Sequence, residues 1–166
     1  SGLTYSYPDT IRPALQIVGT RPGVKNVSGL SIVVLRGRFY FFADTTVNIS
    51  PDAQTLAEIA IEAAALVQRF DVEPKVALLS FSNFGSARHA ASARVREAVE
   101  IVKDRKPDLT IEGEMQADTA VNPVVAEEGF PFSAIQGDAN VLIFPDLQSG
   151  NIAYKLLQHL GGAEII

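Results

Sequence analysis

Lys75-Val76-Ala77-Leu78-Leu79-Ser80-Phe81, followed at once by Ser82-Asn83-Phe84-Gly85-Ser86, is the stretch that decides the fold. The first part is a short apolar run bounded by turn residues, the pattern of a strand buried on both faces in a parallel sheet. The second part is a small polar turn with a glycine. A helix is expected next, over residues 87–103. Strand, turn and helix in that order make the first half of a parallel crossover unit.

Downstream the pattern recurs. Strands are expected over Leu109 to Glu114 and Asn140 to Phe144, a short helix over Val121 to Glu127, and a last helix over Ser149 to Leu160. Upstream, Leu30 to Leu35 and Phe39 to Ala43 are β-rich runs separated by Arg36-Gly37-Arg38, read as a hairpin. A long helix is expected from Pro51 to Phe70, with Ser50 as its N-cap, Pro51 as its first residue and Asp52 near its positive end. Another helix opens at Pro8 and Asp9 and runs to residue 19, with Ile11, Leu15 and Val18 at helical spacing and Arg12 on its first turn before Pro13. Thr20-Arg21-Pro22-Gly23 breaks it. The expected fold is therefore α/β: three α/β/α layers around a mostly parallel sheet, with the hairpin as an antiparallel edge.

The chain's 166 residues suit a single hydrophobic core. With 47% hydrophobic and 20% charged residues it has the composition of a globular domain. A net charge of -5 argues against a nucleic-acid surface, which needs clustered Lys and Arg, but leaves room for a small anionic ligand held by a few local charges. The absence of cysteine excludes disulfides, thiolate metal sites and a thiol nucleophile, and fits a reducing cytoplasm, the expected location. No apolar run approaches the roughly 20 residues that span a bilayer, and Ser1-Gly2-Leu3-Thr4 does not open a signal peptide, so no membrane association is expected. Gly161-Gly162 followed by Ala163-Glu164-Ile165-Ile166 reads as a chain entering its next strand, and the sequence is expected to be a piece of a longer one.

In an open parallel sheet, ligands bind where strand carboxyl ends meet loops and helix amino termini. Four segments dense in small polar residues reach that edge: Asp44 to Asn48, Ser80 to Ser86, Glu112 to Asp118, and Pro145 to Asn151. From these, Ser82, Asn83, Gly85, Ser86, Gln116, Asp146, Ser149, Gly150 and Asn151 are candidate ligand-binding residues. The 82–86 turn could cradle a phosphate on free amides, although an ordinary glycine turn with a serine N-cap is the preferred reading. Glu112 and Glu114 share a strand face and could do acid–base work, yet pairing with Lys or Arg is the more common use of such residues. Asp44 and Asp146 each follow an apolar strand directly, where bracing a loop is at least as expected as catalysis. Arg12 is the candidate anion clamp and the one candidate catalytic residue, whereas Lys155 is read as a solvated charge. His89 and His159 have no metal or triad spacing and are expected at the surface, so no metal site is expected. Phe39, Tyr40, Phe41 and Phe42 are read as edge-strand and interface packing.

Taken together, the segments resemble the phosphate acetyltransferase family in order and spacing. The resemblance is carried by Asp9-Thr10-Ile11-Arg12-Pro13-Ala14-Leu15-Gln16-Ile17, by Phe42-Ala43-Asp44 with Val47-Asn48, and by Glu112-Gly113-Glu114-Met115-Gln116 with Asp118. Asn140 to Leu147, Gly150-Asn151-Ile152 and Gly161-Gly162-Ala163-Glu164 complete it, so that it spans essentially the whole chain. It implies an isocitrate/isopropylmalate dehydrogenase-like fold, with residues 1–20 as a connecting helix from an amino-terminal lobe and residues 21–166 as a central α/β domain. It also implies that an Asp-Leu-Ser-Arg-Gly segment contributing to acetyl transfer follows shortly after these residues, and that Arg12 matches a family residue of the acyl-phosphate or coenzyme A site.

Two details look more like the module fused behind bacterial NADP-dependent malic enzymes: Phe84-Gly85-Ser86 in place of a glycine- and serine-rich turn, and Tyr5 in place of a histidine. On that resemblance the expected function is an acetyl-CoA-sensing, allosteric and oligomerising module, inactive by itself. The malate decarboxylation, the NADP and the divalent metal would belong to an upstream part. The alternatives are part of a working phosphate acetyltransferase, moving acetyl between acetyl phosphate and coenzyme A, and a purely structural dimerisation domain. Acetyl-CoA, coenzyme A or an acyl phosphate is the expected ligand, and a homodimer or higher homo-oligomer the expected assembly.

Overall fold

The computed structural model describes residues 27–166, together with Pro13, Gln16 and Ile17. Most of the helix expected over residues 8–19, Arg12 included, lies outside the described residues, as does the boundary near residue 20. The described chain opens with an antiparallel hairpin, β1 (Leu30–Leu35) and β2 (Arg38–Ala43). Its turn is Arg36-Gly37, both at positive φ (51° and 77°). That conformation closes a two-residue hairpin with the twist its strands need, which is why Arg38 joins β2 rather than the turn.

Helix α1 (Ala53–Gln68) is capped by Asp52, whose carboxylate accepts the Thr55 amide at 2.7 Å. Ser50 is therefore not the cap, and Pro51 precedes the helix. Strand β3 (Val76–Leu79) leads into α2 (Ala90–Arg105), capped by His89 through Nδ1, which accepts the Ala91 amide at 3.1 Å. Lys103 and Arg105 in its last turn suit the negative helix end. Strand β4 (Ile111–Met115) is followed by two short helices, α3 (Ala117–Val121) and α4 (Pro123–Gly129), where a single one was expected. Strand β5 (Val141–Ile143) precedes α5 (Leu147–Gly161), and β6 (Glu164–Ile165) ends the chain as the strand expected there.

The sheet order is β4-β3-β5-β2-β1-β6. Strands β2, β3, β4 and β5 are mutually parallel; β1 runs against β2, and β6 pairs with β1 beyond it. Alternation along each strand feeds two cores. Phe41, Val76, Leu78, Val141 and Ile143 pack under α1 and α2, while Phe42, Ala77, Leu79, Leu142 and Phe144 face α3 and α5. Because β2 is flanked on both sides, Phe41 and Phe42 are core residues rather than edge packing; Phe39 is exposed and Tyr40 half-buried. Helix α1 meets the first core with Ala53, Ala57, Ala60, Ala63 and Ala64, whose small side chains let it sit close to the strands.

The second core is thinly covered. Helix α5 buries only Gly150 fully, and Ile152, Leu156 and Leu160 are exposed at 57%, 52% and 82%. A cavity of about 390 Å³ opens there, lined by Leu35, Tyr40, Phe42, Leu142, Leu156 and Leu157 among others. Among the described residues no helix is long and apolar enough to cross a membrane. Leu56, buried at 1% exposure under the sheet, sets a stability test. Leu56→Ala should cost about 2–5 kcal/mol, read as a lower midpoint in urea denaturation.

Candidate active-site rim

The four parallel strands all end on one edge, so the segments after β2, β3, β4 and β5 gather along a single rim, as their sequence positions require. They form two clamped pairs. In the first, the β3–α2 turn is tied to the end of β4. Glu114, with no side-chain exposure, accepts from Ser82 Oγ (2.8 Å), Gly85 N (2.8 Å), Arg96 Nε (2.9 Å) and Arg96 Nη2 (3.2 Å). Its own carbonyl accepts the Phe84 amide at 2.8 Å. Gln116 adds two bonds: its amide donates to Asn83 Oδ1 at 2.6 Å, and its Nε2 donates to Phe81 O at 2.7 Å.

The second pair joins the loop after β2 to the start of α5. Asp44, 2% exposed, accepts from the amides of Gly29, Thr46, Val47 and Asn48 and from Asn48 Nδ2. Asp146 caps α5, its carboxylate accepting the Ser149 amide at 2.8 Å while its carbonyl accepts Ser149 Oγ. Gly150 lies against the Asp44 carbonyl; a Cβ there would come within 2.6 Å of that oxygen, so only glycine lets α5 and the loop meet this closely. Asn151 Nδ2 reaches Thr45 O and Tyr154 Oη at 3.5 Å. Arg94 of α2 links the two pairs by donating from Nη2 to Pro145 O at 3.0 Å.

The nine described candidates thus fall into two groups: Ser82, Asn83, Gly85, Ser86 and Gln116 come together at the β3/β4 end, and Asp146, Ser149, Gly150 and Asn151 at the β2/β5 end. Arg12 lies outside the described residues. The amides of the turn itself are not free to cradle a phosphate. Every amide from Ser82 to Ala87 is engaged within the protein, to Ser80 Oγ, Ser86 Oγ, Glu114 O, Glu114 Oε1, Asn83 O and Ser82 Oγ in that order. Ser82 is itself fully buried by these bonds. Ser86 is not the helix cap either, because its hydroxyl closes the turn and His89 caps α2 in its place.

What the rim can offer a ligand are side-chain groups, chiefly Asn83 Nδ2, whose partner oxygen is fixed on Gln116. His89 and His159 are exposed, and among the described residues no cluster of His, Asp and Glu is placed to hold a metal ion. Both glutamates of β4 meet cations of α2: Glu114 with Arg96, and Glu112 with Lys103 at 3.9 Å. Sequence reasoning passed over Arg94 and Arg96. The available signal was Glu112 and Glu114 facing a helix that carries cations at 96 and 103.

Burial alone would push the Glu114 carboxyl up; hydrogen bonds from Arg96, Ser82 and Gly85 outweigh it and hold the group below its ordinary range. Such a carboxylate contributes stability that is complete above the unfolded value and is lost as pH falls through the lower folded value. The urea midpoint should therefore fall as the pH drops through and below the ordinary carboxylate range, and Glu114→Gln should flatten that fall, as denaturation at a series of pH values will show.

Comparison with known proteins agrees with this geometry. The family model described as phosphate acetyl/butaryl transferase matches residues 1–166. Phosphate acetyltransferase of Bacillus subtilis (strain 168) is 51% identical over 166 residues, covering 100% of this chain and 51% of the relative. The Staphylococcus epidermidis (strain ATCC 12228 / FDA PCI 1200) phosphate acetyltransferase is 46% identical over 171 residues, covering 100% and 52%. Among solved structures, a phosphotransacetylase from Streptococcus pyogenes superposes with a TM-score of 0.92 at 47% identity over 99% of this chain and 51% of that one. EutD phosphotransacetylase from Staphylococcus aureus gives 0.91 at 42% identity, covering 100% and 51%. The chain spans about half the length of the curated relatives it matches. These relatives carry the name phosphate acetyltransferase and give no sign of the malic-enzyme context expected from Phe84-Gly85-Ser86 and Tyr5. The three-layer fold, the rim and the match over every residue have one common explanation: this chain belongs to the phosphate acetyl/butaryl transferase family.

Proposed function

We propose that this chain supplies one lobe of an enzyme that transfers acetyl between acetyl phosphate and coenzyme A. The observation that carries the reading is 51% identity to a phosphate acetyltransferase along the full chain, rim segments included. In the reaction, the coenzyme A thiolate attacks the acetyl carbonyl carbon. A carbon–sulfur bond forms, the carbon–oxygen bond to phosphorus breaks, and inorganic phosphate leaves with the electron pair; the thiol proton passes to solvent. Negative charge develops on the carbonyl oxygen and the leaving phosphate, and hydrogen-bond donors or cations aimed at those oxygens lower the barrier.

Because the turn amides are engaged, the donors proposed on this lobe are side chains. Asn83 and Gln116 lie at one end of the rim and Asn151 at the other, with Arg12 as the cation, while the Ser86 and Ser149 hydroxyl protons are directed to Ser82 Oγ and the Asp146 carbonyl. Ser82, Gly85, Asp146 and Gly150 serve by shaping the rim, through the contacts described above. Acetyl-CoA, coenzyme A and acetyl phosphate are the ligands in this reading. The acetyl-CoA-sensing role and the purely structural role are set aside, since the named relatives support acyl transfer.

The test is formation of acetyl-CoA from acetyl phosphate and coenzyme A by the intact protein, followed at the thioester absorbance. Turnover at a rate dependent on both substrates is expected; no turnover at millimolar substrate would end the proposal. Arg12→Ala should weaken acetyl phosphate binding by about 1–3 kcal/mol, seen as a raised KM, as loss of a charge-assisted contact does.

A homodimer belongs to the same reading, and the uncovered face of α5 supports it. Ile152, Leu156 and Leu160 form an exposed apolar stripe beside the 390 Å³ cavity, and a large apolar patch of this kind marks an association surface. Sedimentation velocity should find a dimer for the wild-type protein and a monomer for Leu156→Glu.

A further inference from the structure

Glu114 is the most fully buried charge at the rim, with no side-chain exposure of its own. Its two oxygens divide their work. Oε1 accepts from Ser82 Oγ, Gly85 N and Arg96 Nη2, while Oε2 accepts from Arg96 Nε. Ser82 Oγ in turn accepts the Ala87 amide and meets Ser86 Oγ at 3.2 Å, and Ser86 Oγ accepts the Asn83 amide. One carboxylate oxygen therefore holds both ends of the 82–86 turn.

The turn needs holding. Phe84 sits at φ +45°, a region that a bulky side chain avoids and that persists only where the surroundings impose it. Its amide is fixed on the Glu114 carbonyl, and its ring packs against Phe130 and Phe132 at centroid distances of 5.3 and 5.0 Å. Next to it, Asn83 has its Oδ1 fixed by the Gln116 amide, which leaves the Asn83 NH2 group as the outward donor. A turn free to relax would lose that orientation first.

We infer that Glu114, charge-balanced by Arg96, is a positioning residue for acyl transfer: it holds the 82–86 turn so that the Asn83 amide is presented as a donor to the anionic substrate. The inference rests on the acyltransferase reading above. It gives Glu114 a positioning role in place of the acid–base role weighed from the sequence, and adds Arg96, which the rim's polar pattern passed over. Arg96 is 46% exposed in its side chain and approaches Glu114 from the surface side, so it neutralises the buried charge without filling the turn.

Two double variants of the intact protein test this, each removing the cation so that no buried charge is left unpaired. In Arg96→Met/Glu114→Gln the amide oxygen can still accept from Ser82 and Gly85; in Arg96→Met/Glu114→Leu nothing can. The first should keep KM for acetyl phosphate within about twofold of wild type, while the second should raise it by about tenfold with kcat changed by less than about threefold. Equal KM in the two would overturn the inference, because a merely structural carboxylate would not divide them in this way.

Should the leucine variant fail to fold, hydrogen exchange at the Gly85 amide of the wild-type protein decides. Protection well above that of an open loop is expected from its bond to Glu114, and exchange at the rate of an open loop overturns the clamp. That measurement also separates the two proposals: a wild-type protein with no transferase activity defeats the functional reading, while Gly85 protection still reports on the clamp.

Discussion

A carboxylate taken out of water is costly unless donors replace its hydration, and donors that do so are fixed in place by the exchange. The rim is organised by two such groups, Asp44 at 2% exposure and Glu114 at 0%. Each gathers backbone amides from a loop that would otherwise have no regular partner. Asp44 takes four amides and a side-chain donor from residues 29 and 46–48. Glu114 takes a hydroxyl and an amide from the β3–α2 turn and a guanidinium from α2 itself. Sheet and helices put the loops on one edge; the buried charges give them a single shape.

Much of this was legible from residues. The apolar runs at 76–79 and 141–143 are short and bounded by turn residues, which marks strands covered on both sides, and both lie inside the sheet order. Parallel crossovers then force the polar segments to one rim. The pairing of Glu112 and Glu114 with cations of α2 also follows from topology. A crossover helix runs back along its strand, so the early Arg96 meets the late Glu114 and the late Lys103 meets the early Glu112. Seven residues of helix rise about 10 Å and two of strand about 7 Å, a mismatch that long side chains absorb.

Other features were hidden because several polar residues compete for one role. Ser50 and Asp52 both precede α1, and only the backbone's path selects Asp52. Ser86 has the chemistry of a cap, but its hydroxyl is taken by the turn and the cap passes to His89, an unusual residue for it. The engaged amides of 82–87 could not be anticipated either. Local pattern shows a glycine turn before a helix but not the acceptors of its amides, and here the strand next door supplies two of them, Glu114 O and Glu114 Oε1. Phe41 and Phe42 looked like edge residues because a hairpin was expected at the margin of the sheet, whereas β2 also pairs in parallel with β5 and so lies inside it.

The hairpin turn at Arg36-Gly37 lies at the end of the sheet away from the rim, since β2 begins there and runs toward it. A Cβ on Gly37 would meet nothing within 4 Å, and Arg36 is exposed. This corner is therefore a natural handle: a fluorophore or surface tether fixed at Arg36 would hold the molecule with its rim facing the solution, unobstructed and in known orientation.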